Sequence, residues 1–343
     1  MLTHQLKIVI VLLLILNISC NDHEEFQDDP NNTTEANPAL LLTNIEVSAL
    51  NSIDLNAAMA CRYLVNVNLT EDAQYYGWDR ASFGFYNTLR QVKKMEEEAE
   101  NFNNINFLAI AKFFKAFVYE QITRQFGDIP LSDALEAEQG NYTPVYDKQE
   151  DVYLRIFELL EEANDLIETN GPAINGDVVF NGDLQKWEKL FNSFHLRVLM
   201  SLSKKENDED INIPSRFNTI FNNPVSYPIM ESLDDNATYT FSEETGNVYP
   251  FWQNASITTS YILEETFVKR LKEFNDPRLF EMAAPDSNSS DDDPMSFDSY
   301  SGLLGSAPLG TNVSRLTNGE GSALNSRYVE DPEAEPNLAF GYF

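Results

Sequence analysis

The chain has 343 residues, 43% hydrophobic and 12% aromatic, enough for a sizeable core in one large domain or two intimate ones. It carries 55 acidic against 23 basic residues and a formal net charge of −32. That balance argues against nucleic-acid binding, which needs clustered Lys and Arg on phosphates. It fits a self-repelling, soluble exterior and names no partner.

Lys7 precedes a short apolar run, Ile8 to Leu16. The run is far below the roughly 20 apolar residues of a membrane-spanning helix and has the layout of an export signal. Leu16-Asn17-Ile18-Ser19-Cys20 resembles a bacterial lipoprotein signal, with Asn17 standing where an aliphatic residue is usual. Residues 1–19 are then the signal peptide, and Cys20 is the lipidated N-terminus. Residues 20–37, polar, acidic and without periodicity, read as a flexible tether. The second cysteine, Cys61, is left without an intramolecular partner, which excludes a disulfide framework and suggests a small buried hydrophobe.

Asn37-Pro38 opens the first helix, with Asn as cap and Pro in the first turn. The apolar spacing continues through Ile45, Ala49, Ile53, Met59 and Leu64, predicting one or two helices up to about Asn66. The polar, aromatic segment Thr70–Arg80 breaks the pattern. Phe83, Tyr86, Leu89, Val92 and Met95 mark another helix. Phe107, Ile110, Phe114, Val118, Ile122 and Phe126 then place an aromatic stripe on one face of a helix, which Gly127 closes and Pro130 keeps from resuming.

Asp147 and Glu150 have capping-box spacing ahead of a helix through Val152, Ile156, Leu160 and Ile167. Asp183 is the expected cap of a helix carrying Trp187, Phe191, Phe194 and Val198, with Trp187 in the core. From Asn207 prolines accumulate and the period fades. One further helix is predicted from Ser260 to Phe274. Beyond Ala284 the chain reads as irregular. The predicted fold class is mostly α: a tetratricopeptide-like scaffold of helix pairs over 38–280, with a long loop-rich continuation over 281–343.

The chain has three histidines, and only His195 falls in the folded part, within an apolar helix. A packing histidine is the expectation there, and no pair exists to hold a metal. Nucleotide-binding, hydrolase and metalloprotease motifs are absent from the sequence. Asp286, Asn288, Ser290 and Asp292 offer oxygen ligands, but Asp291 stands where a calcium loop needs glycine. No cofactor or metal is expected. Carboxylates suffice for a glycosidase, but no pair is marked.

The chemical signal lies in aromatic residues outside helical context. Tyr75, Tyr76 and Trp78, and likewise Tyr249 and Trp252, sit among Asn, Gln, Asp and Glu. Sugars combine an apolar C–H face with a rim of hydroxyls, which flat aromatics flanked by amides and carboxylates match. Anchoring of loops to the core is the competing role for the same rings.

Phe114 to Leu131, ending Phe126-Gly127-Asp128-Ile129-Pro130-Leu131, resembles the helix-and-turn signature of the SusD/RagB lipoproteins. The helices around Tyr153–Leu166 and Trp187–Met200, and the Asp276-Pro277-Arg278 turn, are similar to that family as well. The resemblance runs from Cys20 to about residue 280. Beyond it the family's C-terminal helix pair has no counterpart, which suggests a truncated product. The resemblance implies a lipid-anchored, cell-surface protein of the outer membrane that binds a glycan, or a peptide as in some relatives. It would pass that ligand to a SusC-like TonB-dependent transporter, with no covalent chemistry. The alternative is a helical-repeat scaffold lipoprotein whose partner is another protein.

Overall fold

The structure is a computed structural model that describes residues 37–50, 54–77, 82–241, 249, 251, 254, 256–289, 293–325 and 339–341. In chain order its elements are α1 (Pro38–Leu50), α2 (Leu55–Ala60), β1 (Leu64–Asn66), α3 (Asp72–Tyr75), α4 (Phe85–Asn101), α5 (Ile105–Phe126), α6 (Gln149–Leu166), α7 (Leu184–Ser201) and α8 (Ile213–Phe221). There follow β2 (Thr238–Thr240), α9 (Ser256–Ser260), β3 (Tyr261–Leu263), α10 (Glu265–Glu273), α11 (Arg278–Met282), α12 (Leu309–Thr317) and β4 (Ala339–Gly341). No described helix is long and apolar enough to cross a membrane.

Helix α5 lies between α4 and α6, and α1, α7 and α8 complete the main core. The ring of Phe113 meets Phe114, Phe117, Trp187, Phe191 and Phe194 at centroid distances of 5.1 to 5.9 Å. The two lysines of α5 are paired across the helix interfaces. Lys112 bridges Glu96 of α4 and Glu162 of α6 at 2.9 Å each, and Lys115 also reaches Glu96. Burial works to raise the Glu96 carboxyl, but Lys115 and Lys112 together hold it below the usual carboxylate range.

The exit of α5 shows why its residue types recur together. Gly127 has φ 77°, a left-handed value that suits glycine, and its N–H closes the helix on the Thr123 carbonyl at 2.8 Å. Asp128 Oδ1 accepts the Gln149 N–H at 2.9 Å and so caps the start of α6. Ile129 is buried and bridged to Asp147, and the Pro130 carbonyl accepts the Tyr86 hydroxyl at 2.5 Å. The turn therefore docks one helix pair onto the next. Asp128→Ala is expected to cost about 1 kcal/mol, read as a lower thermal midpoint that Asp128→Asn largely restores.

The predicted Asp147–Glu150 capping box does not form. Helix α6 begins at Gln149 with Lys148 at the cap and no side-chain cap bond. Asp147 instead accepts the Leu131 and Ser132 N–H groups at 2.9 and 2.8 Å, because the turn from α5 presents those donors across the loop. Cys61 is exposed, not buried, because it caps the C-terminal end of the short α2, outside the packed turns of the helix.

The pattern predicted as helix up to Asn66 ends in a strand, as does the start of the helix predicted at Ser260. β1 and β3 pair antiparallel, with Leu64 opposite Leu263 and Asn66 opposite Tyr261. Pairing across about 200 residues overrides the helical spacing of both segments. Pro214 does not disrupt α8, because it occupies the first turn, where its missing N–H has no partner to lose. The stretch after Ala284 carries α12 and packs on the ribbon: Tyr300 and Leu303 are buried, and Leu303 exchanges backbone hydrogen bonds with the β3 end at Leu263 and Glu265.

Candidate functional site

The candidate site is built on the β1–β3 ribbon and the short unit that follows β1. Asp54 Oδ1 caps α2 by accepting the Asn56 and Ala57 N–H groups at 2.9 and 3.1 Å. The helix ends with Arg62 at φ 62°, where Tyr63 N–H reaches the Ala58 carbonyl and Arg62 N–H the Met59 carbonyl. That pair of bonds is a Schellman closure, which turns the chain into β1. Helix α3 then runs back beside the strand and closes in the same way, with Tyr76 at φ 56° and Gly77 N–H on the Asp72 carbonyl.

A polar row lies between α3 and the ribbon. Asn66 N–H donates to Gln74 Oε1 at 2.7 Å, and Asn66 Nδ2 donates to Glu71 Oε1 at 3.3 Å. Asn66 Oδ1 in turn accepts the Asn68 and Leu69 N–H groups, and Asn68 Nδ2 donates to Ser260 Oγ at 2.6 Å. Burial, with the Glu71 carboxylate a smaller cause, raises the Tyr261 phenol above its ordinary value. Glu264, fully buried, accepts the Thr266 and Gly305 N–H groups at 2.6 and 3.1 Å and ties the loop before α12 to the ribbon.

The three predicted tyrosines take different places. Tyr75 is half-buried, its hydroxyl donating to the Ala307 carbonyl at 2.9 Å. Tyr76 is 57% exposed, its hydroxyl 3.2 Å from the Ala60 carbonyl, with the Arg62 guanidinium 4.6 Å from its ring centroid. Tyr249 is half-buried against Phe241 and Phe251, at 5.4 and 5.6 Å, and burial raises its phenol. Among the described residues no ring contact joins Tyr249 to Tyr75 or Tyr76. Trp78, Trp252 and Cys20 lie outside the described residues.

Arg62, Asn66, Asn68 and Ser260 carry no sequence signal of their own. They matter because the ribbon gathers them. Two further exposed rings, Tyr142 and Tyr146, stand on the loop leading to α6, with Tyr146 edge-on to Phe83 at 6.4 Å.

His195 is a packing residue. Its ring stacks on Phe157 at 5.2 Å and 15°, and burial, aided by Arg216, pushes its pKa down to about 3, so it is neutral. Among the described residues, Glu150, Asp208 and Asp210 bring carboxylate oxygens within 4.8 Å of one another and could hold a cation. Glu150 and Asp210 are exposed and Asp208 is half-buried, as is common for acidic groups that hold no ion. The calcium loop considered from Asp286 to Asp292 lies partly outside the described residues.

A helical scaffold that presents an exposed, cation-backed aromatic beside a row of amides has the makings of a binding protein. The model of a SusD-like family described as starch-binding and associating with the outer membrane matches residues 30–325. The chain belongs to that family, whose members are outer-membrane binding proteins and not enzymes. A SusD homologue from Bacteroides fragilis is 37% identical with a TM-score of 0.79, over 90% of this chain and 66% of its own. An outer membrane protein from Bacteroides vulgatus, described in connection with nutrient binding, is 36% identical with a TM-score of 0.79, over 87% of this chain and 65% of its own. A second B. fragilis SusD homologue is 29% identical with a TM-score of 0.77, over 89% of this chain and 65% of its own. The chain thus spans just under two thirds of the length of each. No curated protein matches it.

Proposed function

We propose that this protein is a lipid-anchored capture protein, held through Cys20 at the cell surface, that binds an oligosaccharide and passes it to a SusC-like TonB-dependent transporter. Its work is recognition, with no bond made or broken. The observation that carries the reading is Tyr76, an aromatic ring more than half exposed and held in place by Arg62 and the Ala60 carbonyl. A ring fixed before the ligand arrives loses little entropy on binding, and its face suits the C–H face of a sugar. Asn68, exposed, and Glu71, half-buried, supply an amide and a carboxylate along the same unit. Trp78 and Trp252 belong to the proposed site by sequence, as do Tyr75 and Tyr249. The half-buried placement of the last two supports a role in shaping the loops.

The test is affinity chromatography and calorimetry of the purified chain against a panel of soluble glycans. Tyr76→Ala is expected to weaken binding about tenfold, an aromatic stack being worth on the order of 1 kcal/mol or more, while leaving the thermal midpoint nearly unchanged. Binding to no glycan in the panel, or full affinity in the variant, would reject the reading. Copurification with a protein partner that survives Tyr76→Ala and needs no glycan would favour the scaffold alternative.

A further inference from the structure

We infer that the site around Tyr76 selects acidic glycans, those whose sugar rings carry a carboxylate, and that Arg62 is the residue that sets this preference. The inference rests on the glycan-binding reading and names the class of sugar.

Seven described residues other than glycine have a left-handed φ: four asparagines and Arg62, Tyr76 and Leu135. Asparagine tolerates that conformation, whereas arginine and tyrosine are strained in it. Arg62 and Tyr76 each close a short helix at the position that glycine usually fills. Both side chains are therefore kept against a backbone cost, and they are stacked on each other, with the guanidinium carbon 4.6 Å from the ring centroid. Strain of this kind is retained where a side chain has work to do.

The guanidinium is also short of partners. One of its donors, on Nη1, is used, at 2.9 Å from the Gln74 carbonyl. It makes no ion pair among the described residues, although the chain carries an excess of 32 negative charges. The buried Glu264 flanks the same loop, its Cγ and Arg62 Nη1 lying 3.4 and 2.5 Å from where a Cβ at Gly305 would stand, but it spends its oxygens on the Thr266 and Gly305 N–H groups. Gly305 presses close: a Cβ there would stand 2.5 Å from Arg62 Nη1, so the loop fixes the guanidinium from behind.

None of the other Arg62 donors is buried without a partner, which leaves them to solvent beside the exposed phenol ring. An aromatic face next to a fixed, unpaired guanidinium matches a ring that has both an apolar C–H face and a carboxylate, which is a hexuronate. Arginine's planar fork suits a carboxylate better than lone hydroxyls.

The experiment compares an oligogalacturonate with a malto-oligosaccharide of equal length, titrated into the purified chain by calorimetry at low salt. The uronate is expected to bind about tenfold tighter or more, with the preference shrinking as salt is raised. Arg62→Gln should reduce that preference to near unity, because it weakens the uronate far more than the neutral sugar. Arg62→Gly removes the same charge while relieving the left-handed strain, so it should melt no lower than the parent and still lose the preference. Arg62→Lys should retain part of it.

Equal binding of both sugars by the parent overturns the acidic preference and leaves the glycan reading standing. Equal weakening of both sugars by Arg62→Gln and Arg62→Gly makes Arg62 a mere support for Tyr76, and overturns it too. Binding of neither sugar, nor of any other glycan, removes the glycan reading itself and this inference with it.

Discussion

Glu46→Gln is expected to stabilise the protein above about pH 5, by an amount that grows as pH rises. Glu46, on α1, is fully buried, and its Oε2 accepts the Val178 N–H at 2.7 Å. Its Oε1 has no donor. Burial first, and then the neighbouring Asp177 carboxylate, push the Glu46 carboxyl up to about 10. Asp177 accepts the N–H groups of Val179, Phe180 and Gly182 and the Trp187 Nε1–H, all at 2.8 to 2.9 Å. Glu46 is therefore folded as the acid over the neutral range.

The sign follows from the raised value. Below the unfolded carboxyl range both states hold the proton, and the contact is at full strength. As pH rises past about 4.5 the unfolded chain releases a proton that the folded chain keeps, so stability falls, until it levels off near the folded value of about 10. Each pH unit in that window is worth up to about 1.4 kcal/mol. Between pH 5 and pH 8 the loss is on the order of 2–4 kcal/mol. Glutamine keeps the acceptor for Val178 and supplies a permanent donor toward Asp177, so it escapes the loss. Urea unfolding of parent and variant from pH 5 to pH 9 checks this. Parallel stability profiles would show that Glu46 is ionised in the fold and refute the argument.

Phe113→Ala is expected to cost about 3–5 kcal/mol, the range for emptying a buried aromatic site. The Phe113 ring touches five other aromatic rings from α5 and α7, so none can move into the void without leaving another neighbour. Phe113→Leu retains part of the volume and should lose less than half as much. Chemical denaturation reads both. A loss below about 1 kcal/mol for the alanine variant would mean that α5 is not the centre of the core.

Much of the scaffold was legible because helices write themselves locally. The stripe from Phe107 to Phe126, the cap at Asp183 and the core position of Trp187 all follow from spacings of three and four residues. The Phe126–Leu131 turn was legible too, though its purpose was not. That Asp128 caps α6, while Asp147 serves the turn instead of its own helix, depends on the loop between Phe126 and Gln149 folding back. The same holds for Leu64 and Leu263, whose helical spacing lost to strand pairing.

The site was half legible. Tyr76 could be singled out as an aromatic in polar context, but nothing separated it from Tyr75, its neighbour in sequence. The fold separates them: the hydroxyl of one is tied to Ala307, and the ring of the other is more than half exposed and lies against Arg62. Arg62 offered no pattern at all, since an arginine between two apolar segments usually reads as surface. The family resemblance rested on the α5 exit, and the matched model carries it through residue 325, well past the point where the motifs end.

What this sequence determined by itself is the helical scaffold and the family it belongs to, because those rest on contacts between residues near in the chain. What only the tertiary structure decided is which tyrosine is exposed, that the Glu46 carboxyl keeps its proton, and where the guanidinium of Arg62 stands. Each of those depends on groups brought together by packing. Burial and charge act through space, at distances that spacing along the chain does not encode.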